Sequence, residues 1–355
     1  MGTEMPQLPI IQGRATTGNV ANRFEKIDLE PDGDLLDAEE AITPATVFLR
    51  DSSKSIIATN DSPDVGFEKS VNPYRGCEHG CIYCYARPTH EWLGFSAGLD
   101  FESKIMVKQE AAQLLREELM SPSWKRVSLS FSGITDCYQP AERRFRITRS
   151  CIEVLREFKN PMGVITKNHL VTRDIDLLAE MARERLAVAM ISITTLDADL
   201  CAKMEPRTSV PRRRLEAIKA LTDAGIPTGV MMAPIIPGLT DHEISGVLSA
   251  AAEAGAAFAG YVPVRLPFAV KDLFARWLTD HFPDRKDKVL NRIRSLRGGK
   301  LNDANFGSRM RGEGIWADQL KAMFNLAKRR AALDQPFPPL DKSRFQRPGE
   351  QMHFW

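Results

Sequence analysis

Between Val71 and Pro267 the chain alternates short apolar runs with stretches in which apolar residues recur every three or four positions. That alternation predicts strands separated by amphipathic helices. The runs Arg126–Ser132, Met162–Thr166, Leu186–Thr194, Ile226–Ile235 and Phe258–Val264 read as strands. Gln109–Met120, Phe145–Lys159, Arg173–Arg185, Pro211–Ala224 and Asp241–Ala254 read as the helices between them. In Pro211–Ala224, Leu215, Ile218 and Leu221 share a face, Pro211 suits the first turn, and Gly225 and Pro227 end the helix. Asp241 is placed to cap the helix that follows.

Strand–helix–strand repetition implies a parallel sheet covered by helices. With a further strand before Cys77 the count reaches six, too few for an eight-fold barrel. The expected fold class is therefore α/β, a partial (β/α)6 TIM-like barrel whose working groups sit on loops at the C-terminal ends of the strands. Residues 1–65, rich in Asp, Glu, Pro, Gly and Thr, read as an extended and partly irregular N-terminal arm. Residues 66–267 hold the barrel, and 268–355 form a helical C-terminal extension. The extension includes a helix from about Gly314 to Leu333 and a Pro-rich aromatic tail from Pro336, draped over the body.

Composition narrows the class: 355 residues, 43% hydrophobic and 26% charged, fall in the range of globular proteins. No stretch approaches the roughly 20 apolar residues of a membrane span, and the N-terminus lacks a secretory pattern, so a cytoplasmic protein without membrane contact is expected. A net charge of +2 gives no argument for nucleic acid. The basic runs Arg143-Arg144-Phe145-Arg146, Arg212-Arg213-Arg214, Arg292-Ile293-Arg294 and Lys328-Arg329-Arg330 read as solvated helix faces. Of six cysteines, Cys151 and Cys201 lie on apolar stripes and read as small core residues.

The chemistry concentrates in Cys77-Glu78-His79-Gly80-Cys81-Ile82-Tyr83-Cys84. Cysteine thiolates hold iron–sulfur clusters, and three of them on one loop leave the fourth iron of a 4Fe–4S cluster open to a substrate or cofactor. The alternative is a non-catalytic iron–sulfur or zinc-binding redox or sensor module, with His79 or His90 as a fourth zinc ligand.

The spacing C-x3-C-x2-C, with an aromatic residue before the last cysteine, resembles the radical S-adenosylmethionine (SAM) superfamily. The run Cys81-Ile82-Tyr83-Cys84-Tyr85 is similar to the spore photoproduct lyase or DNA-repair-photolyase-like branch, nearest a subgroup without an assigned substrate. The resemblance implies that Cys77, Cys81 and Cys84 hold a 4Fe–4S cluster whose open iron binds SAM, and that reductive cleavage of SAM gives a 5′-deoxyadenosyl radical. It further implies cofactor contacts from Thr135 and Asp136 after the second strand, Lys167 after the third, Ser192, Thr194 and Arg207 at and beyond the fourth, and Val262 on the sixth. Pro234-Ile235-Ile236-Pro237-Gly238 resembles the segment that packs on adenine. Tyr83 would stand beside the cofactor, and Tyr83 and Tyr85 could relay a radical. Gly133 stands where the lyase carries its hydrogen-donating cysteine, leaving Cys137, four residues on, as the candidate donor. A flavodoxin- or ferredoxin-type electron donor is implied. The substrate is left open between nucleic acid, a small metabolite and a protein.

Overall fold

The computed structural model describes residues 10–24 and 45–349. The strands in chain order are β1 (Val47–Arg50), β2 (Ile57–Thr59), β3 (Lys69–Val71), β4 (Tyr74–Arg75), β5 (Lys104–Val107), β6 (Leu129–Phe131), β7 (Met162–Thr166), β8 (Ala187–Ser192), β9 (Thr228–Ile235) and β10 (Phe258–Pro263). β8 is buried along its whole length, as expected of an apolar strand covered on both faces of a parallel sheet.

Among the described residues, seven strands form one sheet in the order β10-β9-β8-β7-β6-β3-β2. The six from β3 to β10 run parallel and β2 is antiparallel to β3. The sheet ends at β2 and β10 and does not close on itself, which is the partial barrel expected. The helices Ile147–Glu157, Ile175–Arg183, Pro211–Asp223 and Ile244–Glu253 bury Leu155, Leu178, Ile218 and Val247 in the main core against it. Each such side chain contributes about 1.5–3 kcal/mol by leaving water.

One expectation changes, that for Asp241, and two features of the N-terminal region had no signal in the sequence. The arm expected over 1–65 lies outside the described residues at 1–9 and 25–44. Where it is described it contributes β1 and β2, whose mixed exposure gave no periodic signal. β1, β5 and β4 form a second, three-stranded sheet. Asp241 does not cap the helix after it; it sits in a short 3-10 turn and pairs with Arg292 at 3.1 Å.

The tail expected over the body runs from Asp334 to Arg347 across the N-terminal ends of the strands; residues 350–355 lie outside the described residues. Arg347 donates to Ser121 O at 2.9 Å, Gln346 N to Phe158 O at 3.0 Å, and Arg185 bonds Asp341 at 2.8 Å. The helices Val270–His281 and Pro283–Ser295 lie nearer the opposite end. Their Phe274, Trp277 and Ile293 share an apolar cluster with Cys81, Ile82 and Tyr83 of the cysteine loop.

Candidate functional site

The cysteine loop follows β3 and β4. Its backbone closes in successive tight turns, Gly80 N to Cys77 O at 3.2 Å, Cys84 N to Cys81 O at 3.1 Å and Arg87 N to Cys84 O at 3.3 Å. Cys77 and Cys81 are buried and Cys84 half-buried. Gly80 sits at φ 64°, and a Cβ there would lie 2.6 Å from the Glu102 carboxylate. Only glycine tolerates both constraints.

Arg87 knots the loop together. Its fully buried guanidinium donates to Cys81 O at 3.0 Å, Gly80 O at 2.8 Å, Ala97 O at 3.2 Å, Gly98 O at 3.0 Å and Glu102 at 2.6 Å. All five guanidinium N–H groups are thereby engaged. Gln139 adds a second tie, accepting from Glu78 N at 2.9 Å and donating to Gly76 O at 3.1 Å. Cys77 N also reaches Phe101 O at 2.9 Å, and Ile82 N reaches Met204 O at 3.0 Å.

Burial pushes all three thiols up. Asp136 and Cys84 push Cys77 further, and Glu205 pushes Cys81, whereas Lys167 draws Cys81 down and Arg87 draws Cys84 down. Thiolates in such a place need cationic compensation, which bound iron supplies. Among the described residues no three His, Cys, Asp or Glu side chains converge as ligands of a single ion. Three thiols on one short loop are the donor set that an iron–sulfur cluster takes, so the trio fits that group. The two histidines weighed as zinc ligands are held elsewhere. His79 lies between Asp136 (3.4 Å) and Asn168 (3.1 Å). His90 is buried between Phe95 and Phe101, with ring centroids at 5.2 and 5.6 Å.

A second constellation lies at the C-terminal ends of β7, β8 and β9. Glu205, buried, accepts from the Tyr83 phenol, from Thr194 Oγ1 at 2.8 Å and from Lys167 Nζ at 3.2 Å on one oxygen, and from Arg214 on the other. Lys167 also donates to Ala233 O at 2.9 Å. Burial brings its ammonium down to about 8. Arg214 reaches Ser192 O at 3.0 Å, Ser209 O at 2.7 Å and Cys201 Sγ at 3.3 Å, so Cys201 touches a charge as well as the core.

The structure thus brings Tyr83, Lys167 and Thr194 together around Glu205. The other expected residues are placed differently. Thr135 is buried and donates to Tyr74 O at 2.7 Å. Asp136 accepts from Thr166 (2.7 Å), Tyr138 N (2.8 Å) and Lys167 N (2.8 Å), and it faces His79, so it joins three loops. These partners hold its carboxyl below the usual range against the effect of burial. Arg207 pairs with Glu78 at 3.0 Å and bonds Thr46 at 3.0 Å. Ser192 is buried, and Val262 is half-buried in β10. Tyr85, 45% exposed, donates to Gly133 O at 2.8 Å and lies under the Arg265 guanidinium.

Cys137 lies in the main hydrophobic core with Phe131, Tyr138 and Cys151. Its thiol is pushed well up by burial and then by Asp136. At Gly133 a Cβ would come within 2.9 Å of Ser70 Cβ, so no side chain stands there without displacement. Sequence reasoning missed Arg87, Glu102, Gln139, Glu205 and Arg214. Arg87, three residues past the last cysteine of the loop, carried the one local signal. Arg214 was taken for a solvated position and is instead fully buried.

A family model described as the radical SAM superfamily matches residues 71–251. An uncharacterized protein of Mycobacterium tuberculosis is 37% identical over 232 residues, which span 65% of this chain and 67% of that protein. A radical SAM Nalpha-GlyT isomerase of Pseudomonas phage M6 is 26% identical over 174 residues, 49% of this chain and 34% of the phage protein. Spore photoproduct lyase complexed with dinucleoside spore photoproduct superposes with a TM-score of 0.56 at 15% identity, over 80% of this chain and 79% of that one. At that identity the likeness is one of fold.

Proposed function

Because the chain belongs to the radical SAM superfamily, we propose that it is an enzyme in which Cys77, Cys81 and Cys84 hold a 4Fe–4S cluster that reductively cleaves SAM. The observation that carries this is the cysteine loop itself, closed by Arg87 and set at the C-terminal mouth of the parallel sheet. A reduced cluster held by Cys77, Cys81 and Cys84 would supply the electron for cleaving the sulfonium of SAM, and with it the radical chemistry that removes hydrogen from a substrate.

The chain's own residues orient and shield. Lys167 and Thr194 offer a cation and a hydroxyl beside Tyr83, where a carboxylate and a ribose of the cofactor find partners. Asp136 positions Lys167 by accepting from its backbone amide. Tyr85 is the tyrosine open to a substrate at the mouth, whereas Tyr83 is tied to Glu205. The packing of Cys137 favours a core role over hydrogen donation.

The reductant in this reading is a flavodoxin- or ferredoxin-type protein. The substrate is a nucleic acid or a component of one. Its support is the phage relative named for an Nalpha-GlyT reaction, the lyase that shares the fold and holds a dinucleoside, and the arginine-lined cavity described below.

The test is anaerobic reconstitution and reduction, followed by quantification of 5′-deoxyadenosine made from SAM. Wild-type protein is expected to produce it and Cys81→Ala is not. Equal production by the two proteins removes the assignment.

A further inference from the structure

We infer that a cavity of about 660 Å³ beside the cysteine loop is a subsite for a phosphate group of the substrate. That the phosphate belongs to a substrate rests on the function proposed above; the phosphate site itself rests on the cavity and on the helix Pro211–Asp223 beside it.

Arg143, Arg173, Arg207 and Arg213 line it together with His169 and Thr172, and no carboxylate does. Its volume lies within the roughly 300–1,000 Å³ of small-molecule sites. The four arginines are not equivalent. Arg173 is held by Glu142 and Asp174, both at 2.7 Å, and Arg207 by Glu78. The side chain of Arg143, from the segment after β6, has no ion-pair or hydrogen-bond partner among the described residues. Arg213, from the helix after β8, shares the half-buried Glu216 with Arg212 and donates to His169 Nδ1 at 3.3 Å. An acceptor at Nδ1 places the ring proton on Nε2, a further neutral donor. Two cations with charge to give therefore enter the cavity from separate elements, the arrangement that suits a multiply charged oxyanion.

The helix itself supplies a second argument. Pro211–Asp223 carries Arg212, Arg213 and Arg214 in its first turn and no acid there, and Val210 gives no side-chain cap. A helix N-terminus is the positive end of the macrodipole, so cations there oppose it. Arg214 is accounted for by Glu205. Arg213 remains beside uncapped first-turn amides, a combination that favours a bound anion. The one carboxylate left to offset Arg212 and Arg213 is Glu216, which they share.

The cavity also joins the reactive region. Asn168 lines it and meets His79 at 3.1 Å; Arg207 lines it and pairs with Glu78. Both partners lie between Cys77 and Cys81. A phosphate here would tether a substrate whose remaining part extends toward the mouth.

The full chain is titrated at low salt by calorimetry with uridine, uridine monophosphate and a mixed-sequence single-stranded decamer. The same titrations are made on Arg143→Ala, Arg213→Ala and Arg212→Ala. The monophosphate is expected to bind where uridine does not. Arg143→Ala and Arg213→Ala should each weaken it by roughly tenfold or more, and Arg212→Ala, outside the cavity, by less than about threefold. Tighter binding of the decamer supports a phosphodiester as the natural source; equal or weaker binding supports a free phosphorylated small molecule. Equal losses in all three variants would reveal diffuse charge attraction and overturn the site, as would absence of monophosphate and decamer binding. Cys81→Ala should leave these affinities unchanged, so failure of the cysteine assignment is scored separately.

Discussion

The Arg214 guanidinium donates to the Glu205 carboxylate at a point where neither side chain reaches solvent. The same carboxylate receives Lys167 and Tyr83, so this pair fixes the wall of the candidate site. Removing one partner leaves a buried charge uncompensated, at about 3–5 kcal/mol. Arg214→Ala should lower unfolding free energy by that amount in urea. A loss under about 1 kcal/mol would mean that the pair is solvated in solution.

Arg87 holds four loop carbonyls and Glu102. Arg87→Met keeps the apolar stem of the side chain and removes every donor. Iron bound after anaerobic reconstitution should fall to less than roughly half, because ligand thiols whose loop is unmoored lose their geometry. Trp92→Ala, at an exposed position nearby, should retain full iron content. Full iron in Arg87→Met would show that the cysteines need no such support.

Burial lowers the His90 imidazole from 6.5 to about 4. The unfolded chain therefore binds the proton first, and stability rises with pH between those values. The contribution is fully present above pH 6.5 and is lost as pH falls through 4. It amounts to about 3 kcal/mol. His90→Gln should remove most of this slope in urea titrations from pH 7 to 4; an unchanged slope would assign acid sensitivity to other groups.

Gly133→Cys tests how closely Ser70 packs on the backbone at that position. Its Cβ would meet Ser70 at 2.9 Å, and overpacking costs about 1–3 kcal/mol. Adding Ser70→Gly should recover most of that loss. Independent, additive effects of the two substitutions in thermal melts would show that the positions do not meet.

Much of the architecture was legible because parallel strands buried on both faces leave apolar runs of their own. Met162–Thr166 appears as read, and the helix from Pro211 ends one residue before the expected Ala224. Helices Leu99–Ser103 and Ala198–Met204 are too short to display a period, and β1 pairs with β5 more than fifty residues away. The cysteines announced themselves by spacing. Glu205 and Arg214 did not, since nothing in the chain tells a buried arginine from its solvated neighbours Arg212 and Arg213. Asp136 was legible as a polar group at the mouth, whereas its ties to Thr166, Tyr138 and Lys167 are a fact of tertiary placement.

The strap from Asp334 to Arg347 gives the open sheet an asymmetry. It ties the starts of β6, β7, β8 and β10 together through Ser121, Phe158, Arg185 and Phe258, the last by a backbone bridge to Asp334. A sheet without closure can splay, and a brace across one end makes that end the fulcrum. Any widening is then greatest at the far rim, where the cysteine loop and the arginine cavity stand. The brace thus leaves free the side on which the proposed substrate would enter.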